Sequence, residues 1–124
     1  MRNSIVFFLF LISTYCFGES KAPSLKDLDI TASEYRMMSI ECVTDLKITS
    51  SNKDNIKSCE RFFNFVRNDY ENLKSSLENQ EIMVKEQGRV EGLDSDGLRS
   101  KLVLIMSVRS HMRIAGMVSR EIGS

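Results

Sequence analysis

Five apolar residues spaced seven apart, Ile56, Phe63, Tyr70, Leu77 and Val84, constrain this chain more than any other feature of its sequence. Cys59, Val66, Leu73 and Gln80 keep the same interval on a second line between them. An α-helix turns about 100° per residue, so the two lines share one face and form a seam for another helix. The pattern predicts a straight helix from about Asp54 to Gln87, closed by Gly88. Arg67/Glu71, Lys74/Glu78 and Glu81/Lys85 stand at i,i+4 spacing on its wet side. A helix with one long apolar face is unstable alone in water, so the rest of the chain must supply its partners.

A first partner precedes it. Tyr35, Met38, Cys42 and Leu46 recur at three- and four-residue steps, with Val43 alongside, on a helix predicted over 31–48. Thr31 and Glu34 have capping-box spacing, with Ile30 and Tyr35 at the staple positions. Thr49-Ser50-Ser51-Asn52-Lys53 is a polar turn between the two helices. A second partner follows: Gly88, Gly92 and Gly97, with Asp94-Ser95-Asp96, mark a loop, and a third helix is expected over about 96–122. Its stretch Leu102-Val103-Leu104-Ile105-Met106 is apolar on every side and needs cover from other chain or from a partner. Arg109, His111 and Arg113 interrupt it at once, which argues against a membrane span. The expected fold is therefore all-α: an antiparallel hairpin of 31–48 and 54–87 with a third, carboxy-terminal helix packed across it.

The cysteines join the first two helices. Cys42 and Cys59 lie on either side of the 49–53 turn, each on its helix's seam, at matching height in an antiparallel hairpin. A disulfide between them is expected, contributing about 3 kcal/mol in the loop-entropy view. An oxidising compartment is implied, and the amino terminus agrees. Arg2 is followed by an apolar run from Ile5 to Cys16, with Cys16-Phe17-Gly18 offering small residues at a cleavage site. That reads as a secretory leader over residues 1–18, too short to span a bilayer comfortably. Cys16 has a second possible role as the acylated cysteine of a lipoprotein, but Ser13-Thr14-Tyr15 before it lack the small apolar pattern of such sites. Residues 19–30, with the only proline at Pro23, read as a flexible lead-in, and 31–124 as the single domain. The chain beyond Gly18 is expected in a periplasm or outside the cell.

Charge excludes little but disfavours nucleic acid. Residues 19–124 hold 16 basic and 17 acidic side chains, so no overall field draws the chain to a polyanion. The distribution is uneven: residues 19–88 carry 10 basic and 13 acidic, and residues 89–124 carry 6 and 4.

Specific chemistry finds few residues to stand on. His111-Met112, with Met106 and Met117, are soft ligands suited to Cu(I), but neighbours on a helix point about 100° apart and do not converge. Aligning Gly97 with the glycine of a calcium loop puts Gly92 and Val103 where carboxylates are needed, and Asp96 or Ser95 reads better as a helix cap. No nucleophile has a base beside it and no glycine loop cradles phosphate, so neither catalysis, a metal nor a cofactor is expected. Arg109, Arg113 and Arg120 project within about 40° of one another on the last helix, with Gly116 on the same line. They are the candidate partner-binding residues, able to grip carboxylates on another protein. Cations near a helix carboxy terminus also suit its macrodipole, which is the plainer reading of the stripe.

The functional expectation, reached by elimination, is a small exported protein acting by protein–protein binding: an inhibitor, an immunity-type protein or a secretion-system accessory. A self-assembling structural or envelope-stress helper is the alternative, and a metal carrier comes third. The expected partner is another protein or a second copy of the chain, not a nucleic acid, with no stable membrane insertion after leader removal.

Overall fold

The computed structural model describes residues 23–49, 52–92 and 96–123. The segment expected to be a leader, Cys16, the middle of the polar turn and the candidate cap Ser95 lie outside them. The described chain is all-α, with four helices: α1 (Leu25–Thr49), α2 (Lys57–Asn68), α3 (Tyr70–Glu91) and α4 (Asp96–Gly123), and a single 3-10 turn, Lys53–Asn55, ahead of α2.

Helix α1 starts six residues before the expected cap. Ser24 Oγ accepts from the Asp27 amide at 3.1 Å while an Asp27 carboxylate oxygen accepts from the Ser24 amide at 3.2 Å, a reciprocal capping box. Thr31 and Glu34 fall inside the helix, and Leu25 and Leu28, expected in an unpacked lead-in, are core residues at 6% and 2% exposure. The buried positions Leu25, Leu28, Ala32, Tyr35, Ser39 and Cys42 alternate steps of three and four, so the seam begins at the first turn. Ser39 is fully buried and donates to the Arg36 carbonyl at 2.6 Å, which satisfies its hydroxyl.

The single long helix expected over 54–87 is divided. Asn68-Asp69 are poor helix formers whose side chains compete for nearby backbone, and Asp69 adopts φ −120° and ψ −20° between α2 and α3. Below the break the buried face swings to Ser58, Cys59 and Phe62; above it lie Leu73, Leu77, Val84 and Gly88. Phe62, not the heptad residue Phe63, is fully buried. Tyr35 stacks on Phe62 at 5.7 Å and on Phe65 at 4.7 Å, and meets Tyr70 edge-on at 5.8 Å. Gly88 lies within α3 rather than ending it; Gly92 ends it, at φ +88°, where a Cβ is strained.

Cys42 and Cys59, both fully buried, are at disulfide distance with Cα atoms 4.5 Å apart and link α1 to α2. Ser58 donates to Asp45 at 2.6 Å and Arg61 pairs with Glu41 at 3.3 Å on either side of them, confirming the antiparallel register. Helix α4, close to its expected bounds, packs most extensively against α1. The two run in the same direction, with Asp29 3.7 Å from His111 and Lys53, just past α1, donating to the Ile122 carbonyl at 2.6 Å. Lys53 thereby caps the end of α4 and sits 5.7 Å from the centre of the Phe63 ring. Gly123 closes on that ring so tightly that an added Cβ would stand 3.3 Å from it.

Over Gly97–Gly123, α4 is long and apolar enough, by length and composition, to cross a membrane. In this fold its Leu98, Ile105, Val108 and Ala115 belong to the protein core.

Candidate functional site

Helix α3 runs antiparallel to α4, with Lys101 donating to Gln87 at 2.6 Å near the α3–α4 connection and Arg109 reaching Glu81 further down. Helix α1 does not cover the whole of this pair. Its first residues lie beside Gln80, whose side-chain amide donates to the Pro23 carbonyl at 3.0 Å. Beyond that level the stretch from Glu81 to Glu91 rises about 15 Å with only α4 beside it among the described residues. The two helices leave a groove of about 1320 Å³ between them.

The groove is apolar inside and charged at its edges. Val84, Leu98 and Ile105, all buried, form its floor. Ile82, Leu102 and Met106 stand over it at 66%, 39% and 69% exposure. Met106 and Leu102 belong to the stretch expected to be enclosed, and this is where that stretch meets solvent. Val103, at 65% exposure, extends the apolar surface along α4. Glu78, Lys85, Glu86 and Arg89 edge the α3 side, with Arg89 paired to Glu86.

At the lower end Arg109 grips Glu81 with both Nε and Nη2, the Nε contact being 3.0 Å. Glu81 raises the Arg109 pKa still further by accepting these bonds, so the guanidinium keeps its charge at any physiological pH. None of the three expected i,i+4 pairs forms along α2 and α3: Arg67 donates to Asn64 instead, and Glu81 is taken by α4. A bidentate fork to a carboxylate outcompetes a single flexible lysine contact.

The three candidate arginines lie along one flank of α4 but are not equivalent. Arg109 edges the groove and is committed to Glu81. Arg113 is exposed. Arg120, also exposed, brings its guanidinium within reach of Gly116 and of the Tyr35 hydroxyl's electrostatic field. The groove itself, built from Ile82, Leu102 and Met106, was not anticipated as a site; the all-round apolarity of 102–106 was its one sequence signal.

A polar cluster joins α1 and α4 elsewhere. His111 stands 3.5 Å from Arg36 and 3.4 Å from Ser107, and Asp29 Oδ1 is buried with no hydrogen-bond partner. His111 is thus turned toward α1, Met112 packs against the core, and Met106 and Met117 face solvent, so these soft ligands do not share a site. Among the described residues no three His, Cys, Asp or Glu side chains converge as a metal-binding group. At the disulfide end, Phe63, Lys53, Arg67 and Gly123 line a smaller, polar hollow of about 320 Å³.

No family model, curated protein or solved structure matches this chain.

Proposed function

We propose that this is a small exported helical protein that acts by protein–protein binding, and that the α3–α4 groove is its docking face. Inhibitors, immunity-type proteins and secretion-system accessories are the classes that work this way, by occlusion rather than chemistry. The groove carries the reading: Ile82, Leu102 and Met106 hold apolar surface in water over a floor of Val84, Leu98 and Ile105. Apolar surface gathered into a concave patch with a charged edge is what an amphipathic helix packs into. Export is supported by the leader-like residues 1–18 and by a fully buried cysteine pair at disulfide distance, which suits an oxidising compartment.

The test is site-specific photocrosslinking in the native host. A photoreactive residue at Met106 is expected to capture a protein, whereas the same probe at Lys47, exposed on α1, is not. Labelling of lipid but no protein from Met106, or no product at all, would overturn the reading.

A further inference from the structure

The groove also says what fills it. Glu78 and Lys85 edge the groove one heptad apart on α3, both exposed, and neither has an ion-pair partner among the described residues. Seven residues of helix separate them by about 10 Å along the axis and return them to nearly the same side. Ile82, the most exposed apolar residue lining the groove on that helix, lies between them.

We propose that the occupant of the groove is a second copy of this chain, docked about a two-fold axis near Ile82. An isologous interface makes each contact twice, which requires a surface complementary to itself when reversed. Reversing α3 about a point midway between residues 78 and 85 sets Glu78 opposite Lys85 of the second copy, and Lys85 opposite its Glu78. Ile82 then lies beside the axis and meets its counterpart in the other copy. The two α3 helices joined in this way cover the lower part of each groove, from Glu78 to Lys85, and take the exposed Ile82 out of water. Arg109–Glu81 and Arg89–Glu86 are satisfied within each copy and stay so. The proposal rests on the groove being a binding face and names its partner.

Charge reversal at exposed positions tests it. The full chain, purified as its host processes it, is measured by sedimentation equilibrium at low ionic strength, with circular dichroism to confirm that each variant is folded. The wild type is expected to dimerise reversibly. Glu78→Lys and Lys85→Glu each set like charges against one another twice and are expected to weaken the dimer tenfold or more. Glu78→Lys combined with Lys85→Glu restores both contacts and should bring the dissociation constant back to near the wild-type value. Ile82→Glu should abolish the dimer. A wild type that stays monomeric, or a dimer that the reversals leave unchanged, overturns the proposal. A monomer that still crosslinks a different protein through Met106 overturns the second copy as occupant and leaves the binding reading standing. A monomer that crosslinks nothing removes both.

Discussion

Tyr35 concentrates much of what individual residues do in this core. It is 1% exposed and sits among three other aromatic rings. Burial first, and then the neighbouring Tyr70, push its pKa up from 10.0 to about 12, against a smaller lowering by Arg120. The phenol is neutral when protonated, so the unfolded chain gives up this proton before the folded one does. Stability is therefore complete below pH 10 and falls as pH rises from 10 to about 12. The loss amounts to roughly 3 kcal/mol across that window at the usual conversion. Denaturant midpoints measured between pH 9 and 12 are expected to show this decline in the wild type and a much shallower one in Tyr35→Phe. At this same scale the sequence was legible in kind but not in register. Tyr35, Cys42, Cys59, Leu73, Leu77 and Val84 were placed on seams and are buried. Phe63 was taken for a core residue where Phe62 is, because a heptad assumes unbroken helical phase and the chain breaks phase at Asp69.

The helices show where local chemistry overrides pattern. Two pairs at capping-box spacing, Ser24/Asp27 and Thr31/Glu34, stand where α1 could begin, and the earlier one forms the cap. Ser24-Leu25-Lys26-Asp27 places Leu25 and then Leu28 in the core, so beginning there buries two leucines that a start at Thr31 would leave outside the helix. No rule of spacing ranks one capping box above another; burial does, and burial depends on the α3 and α4 surfaces that only the folded structure supplies. Ser24→Ala is expected to lower stability by about 1 kcal/mol, as lost caps do. Thr31→Ala, at mid-helix, should stay within roughly 0.5 kcal/mol. Thermal melts of the two variants distinguish them, and equal losses would return the helix start to Thr31. The extent of α4 was readable throughout, since a loop rich in glycine and aspartate precedes it and apolar residues recur from Leu98 to Ile122. The groove was not: it arises from the offset of α1, which begins at the level of Gln80, against the α3–α4 pair, a relation among helices that no one segment encodes.

As a whole the molecule is tied at one end and open at the other. Near the turn after α1, the Cys42–Cys59 pair, the Lys53 cap on α4 and the closure of Gly123 on Phe63 bind three helices together. At the far end, among the described residues, α3 and α4 have no third helix beside them. Removing the cystine, by Cys42→Ser with Cys59→Ser, is expected to lower unfolding free energy by about 3 kcal/mol, since the link spans 17 residues. Equilibrium unfolding in urea with and without reductant checks this; equal stability would mean that the two sulfurs are not joined in the native protein.

The parallel pairing of α1 with α4 has a consequence for how the domain comes into being. The first and last of the described helices make the largest interface, and Lys53 secures the carbonyl of Ile122, 69 residues further along the chain. A hairpin of α1 and α2 can form from neighbouring chain, but the seam of α1 from Leu28 to Cys42 has no complete cover until α4 arrives. Contacts so distant in sequence close late and slowly. The nascent domain therefore stays open until α4 has been made, a delay that would suit the export proposed above.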